Sequence, residues 1–216
     1  MSRREVHTTE AVAWLRQQRF EPGTAVVTSM PDSSEIPSLG FDGWRTWFSA
    51  TSELICRNVS DEDVAIFYQT DVKHDGRWVD KGFLVSLGAE RAGSHCLWHK
   101  VICRAPAGMT TFGRPAYAHL LCFSRTKRLE KAESFADVLP QLGEMTWARA
   151  MGLEACDAIA KFLVKFTKTR TVVDPFCGVG TMLAVANEVG LDAVGVELSA
   201  KRAEKARTLM LKPRLR

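Results

Sequence analysis

Residues 172–181, VVDPFCGVGT, and residues 193–199, AVGVELS, decide the fold of this chain. The first stretch opens with the short apolar run that is typical of a buried strand. Gly178 and Gly180 follow where the chain has to turn sharply into a helix, because glycine tolerates positive φ and has no Cβ to block a ligand. The second stretch predicts another strand, and its terminal Glu197 can accept hydrogen bonds from the ribose hydroxyls of a nucleoside.

The glycine spacing separates this turn from two other nucleotide-binding turns. A third glycine is absent, so the dinucleotide pattern G-x-G-x-x-G does not fit, and no Gly-Lys-Ser/Thr follows as in a Walker A loop. Thr181 instead stands where a side chain can cap the next helix. The turn and the acid together predict a ligand that contains adenosine but no pyrophosphate, bound at the carboxyl edge of parallel strands.

Apolar periodicity divides the rest of the chain into the helices and strands of one α/β domain over residues 1–216. Helices are predicted at 8–19 and 43–57 and strands at 24–29, 63–70, 97–104 and 117–124, while residues 83–93 fit a helix or a strand, with the helix favoured. Residues 145–166 predict a long amphipathic helix, after which strand and helix alternate twice. This order favours a mostly parallel sheet covered by helices, with an antiparallel strand from the middle of the chain.

Composition places the chain among ordinary globular proteins. It has 216 residues, of which 46% are hydrophobic and 25% charged, and a formal net charge of +4. No apolar run reaches the roughly 18 residues of a membrane span, and no secretory signal is evident. Six cysteines without a C-x-x-C pair, and histidines without metal-ligand spacing, predict free thiols and no metal site. We therefore expect a reducing, cytoplasmic setting, with nucleus and organelle left open.

Basic residues crowd the C-terminus and predict either a phosphate-contacting patch or a solvated helix face. They are Lys201, Arg202, Lys205, Arg207, Lys212, Arg214 and Arg216.

DPFCGVGT and the following GVELS resemble motif I and the second-strand acid of S-adenosylmethionine-dependent methyltransferases, in the form typical of those that methylate exocyclic amines of nucleic-acid bases. The resemblance implies a Rossmann-like methyltransferase fold with a seven-stranded, mostly parallel sheet and one antiparallel strand. It implies S-adenosylmethionine as cofactor. The cofactor-contacting residues that it implies are Asp174, Pro175, Phe176, Cys177, Gly178, Gly180, Thr181, Glu197, Leu198, Trp147 and Met151.

A second motif lies upstream, at residues 28–32, TSMPD. It resembles a variant of the family's catalytic motif, which precedes the glycine turn in the branch with permuted motif order. By that resemblance the Ser29 hydroxyl and a carbonyl near Met30 would accept the protons of the attacking amine, and Pro31 would stiffen the turn. Asp32 stands where the family usually has an aromatic residue. It could be a further acceptor, a general base, or the N-cap of a capping box.

Three further residues are candidates for substrate binding. Trp44, or Trp47 in the same helix, could stack on a base in place of the missing aromatic residue, although both also fit the core face of that helix. Asp71 and Lys81 belong to a polar loop, residues 71–82, which could face the substrate or be simply solvated.

The sequence thus predicts a methyltransferase acting on a nucleic-acid base. RNA is favoured over DNA, with tRNA plausible, because no insertion is large enough for a DNA-reading domain. An exocyclic amine is the favoured acceptor, while a ring nitrogen or oxygen remains open because of Asp32. Carbon methylation through a cysteine nucleophile is set aside, since no Pro-Cys occurs. A homodimer or a small protein partner remains open, as do a small-molecule or protein methyltransferase and a non-catalytic cofactor-binding subunit.

Overall fold

The structure is a computed structural model, and it describes residues 2–212. Its strands are β1 Arg4–His7, β2 Thr24–Thr28, β3 Ala65–Gln69, β4 Val72–His74, β5 Arg77–Val79, β6 His95–Cys103, β7 Tyr117–Ser124, β8 Val138–Leu139, β9 Thr171–Asp174 and β10 Asp192–Val196. Its helices are α1 Ala11–Leu15, α2 Gly40–Asn58, α3 Lys81–Arg91, α4 Leu153–Phe166, α5 Thr181–Glu188 and α6 Ala200–Thr208.

Eight strands form one twisted sheet in the order β1-β10-β9-β2-β3-β7-β6-β8. Strand β7 pairs antiparallel with both β3 and β6, and every other pairing in this sheet is parallel. The predicted mostly parallel sheet with one antiparallel strand is therefore confirmed. The two-residue strand β8 adds an eighth, edge member to the seven that were expected.

Helices cover both faces of the sheet, as a doubly wound fold requires. Successive residues of β2 point to opposite faces, so that Ala25 and Val27 enter one apolar core and Val26 the other. The first core is closed by α4, α5 and α6, and the second by α1, α2 and α3. No helix within residues 2–212 is long and apolar enough to cross a membrane.

The register of the central strands brings the two sequence motifs to one edge of the sheet. Val26 of β2 lies opposite Val173 of β9, and Asp174 lies opposite Gly195 of β10. These strands are parallel, so their carboxyl ends meet at the same edge, where ligands bind in open α/β sheets. Ser29, at the end of β2, is therefore next to the glycine turn although it comes far earlier in the chain.

The predicted helix over residues 145–166 is wrong in its first third. Helix α4 begins only at Leu153, because the Leu153 and Glu154 N–H groups donate to the carbonyls of Glu144 and Leu142. The preceding chain thus folds back over the start of the helix instead of extending it. Residues 145–152 are consequently irregular, and Trp147 lies in this segment rather than on the helix.

Two other local predictions also need correction. Helix α1 is shorter than the predicted 8–19 and is capped by the Glu10 carboxylate, which accepts from the N–H groups of Val12 and Ala13, rather than by a threonine. The polar loop over 71–82 contains the β4–β5 hairpin and the first residues of α3.

Candidate active site

A cleft of about 730 Å³ opens at the carboxyl edge of the sheet. Residues from both sequence motifs line it: Ser29, Met30, Pro31, Asp32, Lys81, Trp147, Pro175, Phe176, Gly178, Glu197 and Leu198. A pocket of about 40 Å³ shares part of this lining and adds further predicted residues: Met151, Asp174, Cys177 and Thr181. The structure therefore brings most of the predicted cofactor and acceptor residues into one continuous site, whereas Gly180, Trp44 and Asp71 line neither space.

The glycine turn has the shape that the sequence predicts. Gly178 has φ +56°, and a Cβ added there would come 3.1 Å from the Trp147 ring. Gly180 has φ +84°, and its added Cβ would lie 2.9 Å from the Cβ of Ala206 on α6. Gly178 thus leaves room in the cleft, while Gly180 permits the close packing of α6 behind it.

Thr181 does not cap the helix that follows the turn, contrary to the prediction. Gly180 occupies the N-cap position of α5, and no side chain caps this helix. The Thr181 hydroxyl instead lies 2.5 Å from the Thr146 hydroxyl. This contact ties the irregular segment 145–152 to the start of α5 and so helps to close the cleft on that side.

Asp174 is a buried carboxyl at the floor of the small pocket. Its Oδ1 accepts hydrogen bonds from the Thr28 hydroxyl at 2.8 Å and from the Phe176 N–H at 3.1 Å. Burial raises the pKa of Asp174 to about 7, and the negative charge of Glu197 adds to this rise. The group therefore titrates near neutral pH. A positive charge brought beside it would lower its pKa.

Glu197 is positioned at the cleft wall by two donors. Its Oε1 accepts from the Ser199 N–H at 2.7 Å and from the Arg202 guanidinium at 2.7 Å. The same guanidinium lies 5.8 Å from the centre of the Trp147 ring, so it bridges two cleft walls. Arg202 itself lines the cleft. The sequence did not predict the pairing of Arg202 with Glu197, because in the sequence Arg202 is only one member of a basic run.

The remaining basic residues near the C-terminus divide into two groups. Arg207 is used inside the fold, where it donates to the Val6 carbonyl and the Thr8 hydroxyl. Lys201 and Lys205 are exposed on α6. Arg214 and Arg216 lie outside the described residues. The phosphate-contacting patch therefore stays a prediction.

The acceptor turn after β2 is held from behind by a tryptophan. The indole N–H of Trp44 donates to the Pro31 carbonyl at 3.1 Å, and Trp44 has no exposed surface. Met30 is also buried, with its sulfur 3.9 Å from the Ser52 hydroxyl. The prediction that Trp44 stacks on a base is therefore wrong, because both faces of its ring are buried in the core. Trp47 lines the cleft instead, packed edge-on against Phe176.

Asp32 carries the strongest electrostatic feature of the site. It is only 5% exposed, and its Oδ1 lies 2.5 Å from the Lys81 ammonium while its Oδ2 pairs with the Arg114 guanidinium. Burial lowers the pKa of Lys81, and the Asp32 carboxylate opposes that change. Both oxygens of Asp32 are thus engaged by cations.

Of the three roles open to Asp32, the structure shows the capping box, which joins Asp32 and Glu35. The Asp32 N–H donates to Glu35 Oε2 at 3.0 Å. Glu35 also pairs with Arg149 at 2.5 Å. This ion pair connects the acceptor turn with the segment 145–152 across the mouth of the cleft.

Asp71 lies behind the cleft and does not line it. Its carboxylate accepts from the Lys81 N–H at 2.9 Å, from the Trp78 indole at 3.1 Å and from His119 at 3.1 Å. It lies with His119 and Asp80 in a group whose potential metal-ligand atoms are within 4.8 Å of one another, a grouping that the sequence did not predict. Since Asp80 also caps α3 through the Phe83 N–H, this group serves as structural support for the helix that carries Lys81.

Cys177 lies in the cofactor turn as a buried thiol. Burial raises its pKa, and the carboxylates of Asp174 and Glu197 raise it further. A thiol in this state is a poor nucleophile, which agrees with the exclusion of a cysteine mechanism.

Comparison with known proteins identifies the fold. No protein-family profile matches the chain, and no curated protein does. Among solved structures, a candidate DNA modification methylase from Thermus thermophilus, complexed with S-adenosyl-L-methionine, shares 19% identity with a TM-score of 0.70, covering 94% of this chain and 92% of its own. PvuII DNA methyltransferase, which is cytosine-N4-specific, shares 13% identity with a TM-score of 0.72, covering 95% of this chain and 86% of its own.

A third similar structure is M1.HpyAVI in complex with SAM, at 13% identity and a TM-score of 0.61, covering 94% of this chain and 97% of its own. The likeness extends over nearly the whole described chain in each case. The chain therefore has the Rossmann-like α/β fold of these methyltransferase structures.

Proposed function

We propose that this protein is an S-adenosylmethionine-dependent methyltransferase that acts on a nucleic-acid base. The observation that carries the proposal is that the cleft and the small pocket share part of their walls and together join two chemically different ends. One end has the glycine turn, Asp174 and Glu197, and the other has Ser29 and Asp32. A cofactor end and an acceptor end that open onto each other are what direct transfer of a group between two ligands requires.

The residues at the cofactor end fit S-adenosylmethionine. A cleft of about 730 Å³ lies within the range that accommodates a ligand of this size. Phe176 and Leu198 offer apolar surface for the adenine, and Glu197 is held where a carboxylate can accept from ribose hydroxyls. Asp174, beside the small pocket, offers negative charge to the cationic methionyl end. The absent Cβ of Gly178 keeps this path open.

S-adenosylmethionine would supply an already activated methyl group, so the protein's task is to orient the acceptor. Ser29 lines both the cleft and the small pocket, and its hydroxyl can accept a hydrogen bond from an attacking amine there. Trp44 fixes the Pro31 carbonyl, and Pro31 restricts its own φ, so the turn is rigid before a substrate arrives. Preorganised acceptors of this kind reduce the reorganisation needed at the moment of reaction.

The setting of Asp32 favours an exocyclic amine over an acceptor that has to lose a proton before attack. A general base needs a lone pair within reach of the proton that it removes. Both oxygens of Asp32 already face cations, Lys81 and Arg114. We therefore propose that Asp32 is a positioning residue, which orders Arg114 and the acceptor turn.

The proposal also names the polymer that carries the methylated base. RNA was favoured from the sequence because the chain is small. PvuII DNA methyltransferase and M1.HpyAVI are each matched over most of their own length, so small size does not separate RNA enzymes from DNA enzymes. We keep RNA as the proposed substrate, with tRNA as the first RNA to examine, and DNA is the competing arm of the experiment.

Calorimetry with S-adenosylmethionine, followed by transfer of a tritiated methyl group to RNA or DNA, tests the proposal. We expect the wild-type protein to bind the cofactor and to label one of the two polymers. Glu197→Ala should weaken cofactor binding, and Ser29→Ala should spare binding but reduce transfer. Absence of cofactor binding would refute the proposal. Binding without transfer to either polymer would favour a cofactor-binding subunit, and label on proteins or metabolites would favour the other methyltransferase classes.

A further inference from the structure

Three cations and one carboxylate line the acceptor end of the cleft, and two of the cations, Lys81 and Arg114, contact the carboxylate. Lys81, Arg104 and Arg114 all line the cleft there together with Asp32. Lys81 is almost fully buried and neutralises Asp32, whereas the Arg114 side chain is 46% exposed. Asp32 and Asp71, whose carboxylate accepts from the Lys81 N–H, balance two of the three positive charges, so this wall of the cleft keeps one positive charge.

Arg104 and Arg114 both belong to the loop 104–116. The Arg104 N–H and the Ala105 N–H both donate to the Ala116 carbonyl, which closes the loop 104–116 at its base. Strand β6 runs into this loop and β7 leaves it, so the loop lies at the same sheet edge as the cleft. The Arg104 guanidinium is further fixed by donation to the Thr70 hydroxyl at 2.9 Å. These arginines are therefore anchored at the cleft rather than dispersed on the surface.

A buried hydroxyl points to what this positive wall binds. Tyr68, on β3, lines the cleft and is only 4% exposed. Its hydroxyl makes no hydrogen bond of ordinary length and angle to residues 2–212, although Arg104 and Thr70 are close enough to oppose the rise that burial causes in the pKa of Tyr68. Buried polar groups are nearly always paired in folded proteins, so an unpaired hydroxyl in a cleft wall is a ready donor for a ligand.

We propose that Tyr68, Arg104 and Arg114 form an oxyanion subsite that binds a negatively charged group of the substrate beside the methyl acceptor. Two guanidinium groups and a phenolic hydroxyl supply the several N–H and O–H donors that a phosphate or a carboxylate accepts. In a nucleic-acid substrate the group is the phosphate next to the target nucleotide. A carboxylate borne by a modified base has the same chemistry. This inference rests on the proposed function and names the feature of the substrate that the site reads.

The inference can be tested separately from catalysis by calorimetry on the full-length protein saturated with S-adenosylhomocysteine. Each nucleoside is compared with its 5′-monophosphate, and uridine is compared with 5-carboxymethyluridine. We expect the anionic member of at least one pair to bind at least about tenfold more tightly, which is the size of one hydrogen bond to a charged group. Tighter monophosphates identify a phosphate site, and tighter 5-carboxymethyluridine identifies a carboxylate site.

Three variants and a control assign the effect to these residues. Arg104→Gln and Tyr68→Phe should each lose most of the preference for the anion, and Arg104→Lys should recover part of it. Arg128→Gln should keep the preference, because Arg128 follows β7 at the opposite edge of the sheet. Tyr68→Phe should also leave the thermal stability unchanged or higher, since the buried hydroxyl makes no hydrogen bond of ordinary length and angle to the residues that the structure describes.

The failure of this inference is distinguishable from failure of the proposed function. Equal binding of anionic and neutral compounds by a protein that binds S-adenosylhomocysteine would overturn the subsite alone. A preference that survives both Arg104→Gln and Tyr68→Phe would overturn it as well. If the wild-type protein does not bind S-adenosylhomocysteine, the proposed function is refuted instead.

Discussion

The ammonium group of Lys81 lies 2.5 Å from Asp32 Oδ1, and both side chains are buried at the acceptor end of the cleft. The two residues come from different elements, the turn after β2 and the first turn of α3. Their pairing fixes the position of α3 relative to the acceptor turn. One Asp32 oxygen is thereby occupied by Lys81 and the other by Arg114, which also lines the cleft.

Lys81→Met is expected to destabilise the fold, because it leaves the buried Asp32 carboxylate with Arg114 alone. Removal of one partner from a buried ion pair costs about 3 kcal/mol or more in the free energy of unfolding. Lys168→Met is the matched control, since the Lys168–Glu62 pair is exposed and such pairs contribute about 1 kcal/mol or less. Urea denaturation measures both. Equal effects of the two substitutions would show that the buried pair has no special importance.

Gly178→Ala is expected to weaken binding of S-adenosylmethionine. The new Cβ would lie 3.1 Å from the Trp147 ring and would narrow the cleft at a position with φ +56°. Gly190→Ala is the control, because Gly190 also has positive φ but nothing lies within 4 Å of its added Cβ. Calorimetry should show a loss of affinity for Gly178→Ala only, while both variants lose similar stability. A similar loss of affinity in both variants would point to a general backbone effect.

Cofactor affinity is expected to depend on pH through Asp174. Its pKa of about 7 means that the carboxyl is largely protonated below neutral pH, and a cationic ligand beside it favours the ionised form. Binding below that pKa must therefore release a proton. Affinity should rise by up to about tenfold per pH unit as pH approaches 7 and should level off above it. Calorimetry from about pH 5.5 to 8.5 measures the profile across this pKa. Asp174→Asn should bind more weakly and with a flatter profile, whereas an unchanged profile would exclude Asp174 as the titrating group.

The same carboxyl predicts a trend in stability with the opposite sign. Its folded pKa is raised above the unfolded value of 3.8, so the folded state keeps a proton that the unfolded state releases between about pH 4 and 7. The contribution of Asp174 to stability therefore falls as pH rises through this window, by up to about 4 kcal/mol. Denaturation of the wild-type protein and of Asp174→Asn at several pH values should show the wild type losing stability relative to the variant across that window. A constant difference between the two proteins would contradict the raised pKa.

Trp44→Phe is expected to slow methyl transfer without loss of cofactor binding. It removes the donor to the Pro31 carbonyl, and this loss should cost about 1 kcal/mol of stability in addition to lost packing. Trp98→Phe is the control, since the Trp98 indole N–H is buried without a partner among the described residues. Rates of methyl transfer, measured with saturating cofactor, distinguish the two variants. Equal rates for Trp44→Phe and Trp98→Phe would exclude a role for this hydrogen bond in positioning the acceptor turn.

The sequence predicted those parts of the site that depend on a short local motif. The glycine turn, Glu197 and the turn at Ser29 were all recognisable, because positive φ, absence of a Cβ and a strand-ending proline leave marks within a few residues. The parallel order of strands then placed them together. The one antiparallel strand was expected because consecutive strands that are joined without a crossover helix usually pair antiparallel.

Long-range partners were not predictable in the same way. Arg114 reaches Asp32 from the loop 104–116, and nothing near either residue indicates the other. Arg202 was hidden in a basic run, and its pairing with Glu197 depends on where α6 packs. Trp44 and Trp47 share one helix, and only the packing of that helix shows that Trp44 is buried while Trp47 lines the cleft. The start of α4 was misplaced because carbonyls of the preceding chain accept from the first N–H groups of the helix, and the sequence does not indicate this contact.

The central claim is methyl transfer from S-adenosylmethionine to a nucleic-acid base, and mass spectrometry of nucleosides tests it most directly. RNA and DNA from a strain that lacks this gene are incubated with the purified protein and a cofactor that carries an isotopically labelled methyl group, then digested and compared. The account predicts one labelled nucleoside, with the methyl group on an exocyclic amine, in the wild-type reaction and a reduced amount with Ser29→Ala. Unlabelled RNA and DNA with a protein that binds the cofactor would contradict it.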